Sequence, residues 1–178
     1  MASIPEPVPM PEPRPQGTDP KRLFLGYLDY YRSVVTAKVD GMTDEELRGS
    51  RLPSCWTPLE LLTHLVHMEQ RWLRWGFAAE AVEAPWGDSQ GSSGGRWTVD
   101  SGTSLEMLLT RLHDGGARTR EIVEAAELTD VAAIGGRFAA GTTPPSLLWI
   151  LFHVLQEYAR HAGHIDIARE LIDGSVGE

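Results

Sequence analysis

From Leu147 to Ile172 the chain is apolar on almost every side, through Leu147, Leu148, Trp149, Ile150, Leu151, Phe152, Val154 and Leu155. That pattern predicts a long helix buried over most of its circumference. Set among these residues are His153, Glu157, His161 and His164. At about 100° per residue they fall within about 80° of arc on one helix. Imidazoles and a carboxylate in such surroundings are costly unless something satisfies them.

The rest of the chain divides into similar segments. Asp19-Pro20 reads as an N-cap followed by proline at the first helical position. Leu23, Tyr27, Tyr30, Tyr31, Val34 and Val35 then give an apolar face as far as Val39. Thr43-Asp-Glu-Glu46 is a capping box that opens a short helix, with Gly49 to close it. Thr57-Pro-Leu-Glu60 is a second box, and the pattern Leu61, Leu62, Leu65, Met68, Trp72, Trp75 predicts a helix to about Ala81. Thr103-Ser-Leu-Glu106 reads as a third box, starting a helix to about Ala126. Thr143-Pro144-Pro145 is the expected start of the last helix, and Gly174 its stop. The connection 84–100 is rich in glycine, serine and tryptophan and has room for a short strand pair. The connection 128–143 holds Gly135, Gly136 and Gly141. Four long amphipathic segments predict an all-α fold, a four-helix bundle with long middle connections.

Residues 1–17 stand apart. Proline at positions 5, 7, 9, 11, 13 and 15 predicts an extended, solvated leader, with the folded domain spanning 18–178. Its first residues have neither the basic start nor the apolar run of a signal peptide. The net charge of −9 leaves no basic stripe for nucleic acid. No apolar run reaches membrane-spanning length without a charge or histidine. A single cysteine, Cys55, excludes an internal disulfide framework and fits a reducing, cytoplasmic setting. Cys55 reads as a small buried residue rather than a nucleophile, with no base near it in sequence.

The histidines carry the candidate chemistry. Five of the six lie on the second and fourth long segments. His64, flanked by Leu61, Leu65 and Met68, faces the expected core. Glu157 and His161 are four residues apart and share one helical face. Together they make a set of two imidazoles and one carboxylate that leaves coordination positions open, the plan of a catalytic rather than a structural metal site. Zinc fits such a set, and iron(II) or nickel are compatible with it. Each residue also has a plainer account. Glu157 can pair with Arg160 or Arg71, and His164 can bond a carbonyl or an aspartate near the helix end. His153 and His67 can be supporting or surface groups, and His113 reads as exposed. Spacing alone leaves a metal site and a structural polar network as alternatives. Gly91-Ser-Ser-Gly-Gly95 satisfies G-x-S-x-G but follows no apolar strand and reads as a chance match. The chain has no H-E-x-x-H, P-loop or G-x-G-x-x-G, and none of the paired Glu-x-x-His motifs of a di-iron bundle.

Two stretches carry a resemblance: Trp56-Thr-Pro-Leu-Glu-Leu-Leu-Thr-His64-Leu, and Trp149-Ile-Leu-Phe-His-Val-Leu-Gln-Glu157-Tyr-Ala-Arg-His161-Ala-Gly-His164-Ile-Asp. They resemble the DinB-like superfamily of metalloenzymes over about residues 19–174. The resemblance implies three ligands, His64, Glu157 and His161. Many relatives have histidine where Glu157 stands; the mycothiol-dependent maleylpyruvate isomerases are similar in using glutamate there, with zinc. His164 stands where many relatives have glutamine, and the resemblance leaves it as a further ligand or a catalytic proton relay. It also implies chemistry with a low-molecular-weight thiol such as mycothiol, as an S-transferase or isomerase acting on a small-molecule substrate. A metal-dependent hydrolase using the same open position, and a noncatalytic bundle that binds or senses a ligand, are the alternatives. Aromatic residues Tyr27, Tyr30, Tyr31, Trp72, Trp75 and Trp149 exceed the needs of one small core and predict a homodimer.

Overall fold

The computed structural model describes residues 11–14, 16–89 and 97–175. Four long helices and one short one account for most of them: α1 (Pro20–Val39), α2 (Asp44–Arg48), α3 (Pro58–Trp72), α4 (Leu105–Ala125) and α5 (Leu147–Asp173). A π-helical turn, Leu73–Phe77, continues α3. The fold is the predicted all-α bundle. Helices α1 and α3 each pack mainly against both α4 and α5. Helices α1 and α3 therefore lie diagonally across the bundle, as do α4 and α5, whereas α3 and α4 are neighbours.

The helix starts follow local chemistry. Asp19 accepts from the backbone N–H groups of Lys21 and Arg22 at the head of α1. Thr43 and Thr57 form complete capping boxes with Glu46 and Glu60. Two starts differ from the sequence reading. Ser104, not Thr103, caps α4 by accepting from the N–H of Met107. Ser146, not Thr143, caps α5 by accepting from the N–H of Trp149. In both cases a serine hydroxyl closer to the apolar run takes the cap, and Pro144 and Pro145 are left in the approach. At the far ends, Lys21 Nζ donates to the carbonyl of Ala126 just past α4, and Arg169 donates to the carbonyls of Lys38 and Asp40 at the end of α1.

Helix α3 was expected to reach Ala81, but its α-helical part ends at Trp72. Within the π turn Leu73 O accepts from Ala78 N–H, and two further carbonyls of the turn are taken by another segment. Arg137 N–H donates to Trp75 O at 3.1 Å and Ala133 N–H to Phe77 O at 2.9 Å. Gly136 allows this approach: a Cβ there would lie 2.0 Å from Trp75 O. The strand pair expected in 84–100 reduces, among the described residues, to one isolated bridge between Ser89 and Trp97. The motif Gly91–Gly95 lies outside the described residues. So do residues 1–10 and 15 of the leader; Pro13 is half-buried against Gly26, where a Cβ would come within 2.9 Å of its ring.

The core is built from Leu28, Val35, Leu61, Leu62, Leu65, Leu108, Ile150, Leu151 and Val154, all fully buried or nearly so. Truncating one such leucine to alanine costs about 2–5 kcal/mol. A polar network crosses this core. Glu69 of α3 accepts from Arg32 of α1, from the Thr119 hydroxyl of α4 and from the Tyr158 hydroxyl of α5. All four long helices are thereby tied at one buried carboxylate. The charge is paired and its lone pairs are occupied, the condition under which burial of an ion is tolerated.

Candidate metal centre

Next to that network, α3 and α5 bring His64, Glu157 and His161 together. One donor atom from each lies within 4.8 Å of the others, the only such group of this kind among the described residues. Glu157 Oε2 is 3.0 Å from His161 Nε2 and 3.5 Å from His64 Nε2. Tyr158, fully buried and bonded to Glu69, immobilises the α5 backbone at the residue next to Glu157. Glu157 thus pairs with neither Arg160 nor Arg71, the partners considered from sequence.

The outer nitrogens of both imidazoles are also engaged. His64 Nδ1 lies 2.9 Å from Asp88 Oδ2. Asp88 is 1% exposed and accepts a second bond from Arg71, which also donates to Pro85 O. His161 Nδ1 lies 3.1 Å from His164 Nδ1. His164 therefore stands behind His161, on the side away from Glu157, and outside the three-residue cluster.

Electrostatics follow from these partners. Bonds from His161 and then His64 hold the Glu157 carboxyl far below the usual carboxylate range. Burial alone would lower the His64 pKa, but its bonds to Asp88 and Glu157 outweigh burial and raise it. Burial likewise opposes ionisation of Asp88, and His64 and Arg71 overcome it, leaving its pKa lowered. Burial, then the neighbouring His161, lowers the pKa of His164.

The surroundings are aromatic. Trp97 stacks on His64 with ring centres 4.1 Å apart and meets His161 edge-on at 5.0 Å. Trp56 lies against His164. His153 sits at the rim, stacked on Trp149 and 4.5 Å from the Trp72 ring; its Nε2 is 3.9 Å from Glu157 Oε1. The remaining sites fall elsewhere. His67 sits under Gly87 and lines a separate polar cavity of about 580 Å³. His113 is exposed beside Asp114. Cys55, expected to be buried, is exposed: it ends a tight turn at φ 61° that projects its side chain outward.

Sequence reasoning missed Asp88 and Trp97 as partners of the site, and considered Arg71 only as a partner of Glu157 rather than of Asp88. Asp88 and Trp97 lie in an irregular connection with no periodicity to orient them. Arg71 carried a hint, because it shares a helical arc with His64.

Two imidazole nitrogens and a carboxylate oxygen converge on one point, and both imidazoles are held from behind. This donor set and spacing fit a divalent ion of the zinc, iron(II) or nickel type. Fold and cluster together define an all-α bundle with a candidate metal-binding cluster whose donors stand on facing helices. A sequence model described as Mycothiol-S-transferase matches residues 23–174, and the chain belongs to this DinB-like family. No curated protein matches the chain. Among the described residues, no helix is long and apolar enough to cross a membrane.

Proposed function

We propose that this protein is a metal-dependent S-transferase or isomerase that uses a mycothiol-type thiol, with His64, Glu157 and His161 as the ligands and zinc as the metal. The convergence of these three side chains, with Asp88 behind His64, is the observation that carries the reading. The family match supports the thiol. A divalent ion held there would supply the positive charge that favours ionisation of a thiol near neutral pH.

The chain's own residues supply the rest. Asp88 keeps His64 turned so that Nε2 faces the cluster. Trp97 covers the face of His64. His153 Nε2, near Glu157 and with its pKa lowered by burial, is placed to take the thiol proton. His164 acts as a positioning residue: its Nδ1 accepts from His161 Nδ1–H, which leaves His161 Nε2 as the ligating lone pair. In the transfer, sulfur forms a bond to the electrophilic carbon and the leaving group departs with the electron pair of its own bond. The thiol proton then passes to solvent from His153.

The small-molecule substrate, a cytoplasmic site of action and a homodimeric state belong to the same proposal. Leu148, Trp149 and Phe152 form an exposed apolar strip on α5 that suits a second copy. The test is elemental analysis of the purified protein, then turnover of electrophiles with a panel of thiols. Metal at about one per chain with thiol-dependent turnover is expected. Turnover with water in place of thiol would move the protein to the hydrolases. A metal-free protein without turnover would make it a noncatalytic bundle.

A further inference from the structure

Arg137 lies in the long connection between α4 and α5, outside every motif considered above. Its backbone is fixed by the bond to Trp75 O and by the close approach of Gly136 to the π turn. Its guanidinium carbon lies 4.0 Å from the Trp72 ring centre and 5.2 Å from that of Trp86. Trp72 in turn touches His153, whose Nε2 is 3.9 Å from Glu157. Three successive contacts thus connect Arg137 to the cluster.

This guanidinium is incompletely paired. Its Nη1 is buried and has no hydrogen-bond partner among the described residues. Nor does Arg137 make an ion pair among them. Its cationic neighbour Arg71 already shares Asp88 with His64. Burial and the like charge of Arg71 both work against the charge on Arg137. Arginine nevertheless stays protonated in proteins. A buried, unpaired N–H is costly, and one kept three contacts from the cluster is suited to an acceptor that a ligand brings. The tryptophan rings pack on the guanidinium, and its donors point along its own plane. A planar acceptor with two oxygens matches that edge.

We propose that Arg137 is the anion anchor of the site, binding the carboxylate of a small acidic electrophile so that its reactive carbon is held toward His64, Glu157 and His161. This rests on the transferase reading for the reaction but not for the binding. It names the substrate class: a short-chain carboxylic acid rather than a neutral or cationic electrophile.

The experiment titrates the full-length protein, as purified, with succinate and with its neutral analogue succinamide, following tryptophan fluorescence. Succinate should bind saturably and succinamide at least about 10-fold more weakly, since a hydrogen-bonded charge pair is lost. Arg137→Gln should weaken succinate by about 10-fold or more and erase the preference, and Arg137→Lys should restore it only in part. Arg111→Gln removes one positive charge elsewhere and should change nothing. Metal content, measured alongside, must match among these proteins so that any succinate held by the metal is common to all. Equal binding of acid and amide by wild type, or undiminished preference in folded Arg137→Gln, overturns the anchor. If Arg137→Gln does not fold, partial loss of the preference in Arg137→Lys supports the anchor, and its full retention overturns it. Succinate binding that needs Arg137, in a protein that no thiol makes active, would retain the anchor and sink the transferase reading instead.

Discussion

Asp88 Oδ2 lies 2.9 Å from His64 Nδ1, so that the opposite nitrogen of the same ring, Nε2, faces Glu157. A carboxylate in this place accepts from Nδ1–H, fixes the tautomer and makes Nε2 the free lone pair. Asparagine can instead donate to Nδ1 and send the proton to Nε2, where it blocks coordination. Asp88→Asn should therefore weaken metal binding by about 10–100-fold, measured by competition with a chelator. His64→Ala, Glu157→Ala and His161→Ala should each lose the ion altogether. Metal content unchanged in all three alanine variants would remove the ligand assignment.

His164 gives a test that separates position from chemistry. A glutamine carbonyl can accept the same bond from His161 Nδ1–H, and a leucine cannot. His164→Gln should keep its metal and most of its turnover, and His164→Leu should lose metal affinity. A fall in turnover of about 10²-fold in His164→Gln with full metal content would instead make His164 a proton-transfer residue.

The Glu69 network predicts a pH dependence of stability. Burial opposes ionisation of Glu69, but Arg32 chiefly, with Thr119 and Tyr158, outweighs it and lowers the pKa. A carboxyl with a lowered folded pKa adds stability above its unfolded value of about 4.3, and that stability is lost as pH falls through the folded value. Glu69→Gln leaves Arg32 buried without its counter-charge and should cost about 3–5 kcal/mol at pH 7 in urea unfolding. The gap between wild type and variant should narrow in acid. A pH-independent gap would mean that packing, not charge, is lost.

Association is checked by light scattering at micromolar concentration, where a homodimer gives about twice the 19.6 kDa chain mass. Phe152→Glu, on the exposed strip of α5, should return the mass to that of one chain. A wild-type mass of one chain would remove the dimer.

Periodicity and caps along the chain determined the helices, because each depends on residues three or four apart. The pairing of Glu157 with His161 is of the same kind, a local spacing on one helix, and His64 was legible from its apolar neighbours. The aromatic residues show the limit of that reasoning. Trp72 and Trp149 read as surplus that an interface would absorb; both also contact His153 beside the cluster, Trp149 stacked on its ring and Trp72 tilted against it, which spacing did not reveal. What only the tertiary structure decided has no period to read. Asp88 reaches His64 across 24 residues, from an irregular segment. Glu69 collects partners from three other helices. Arg137 arrives because Gly136 lets one connection dock on a π turn. Such contacts depend on how helices and loops meet in space, and the identity of the residues along one helix does not encode where its neighbours will stand.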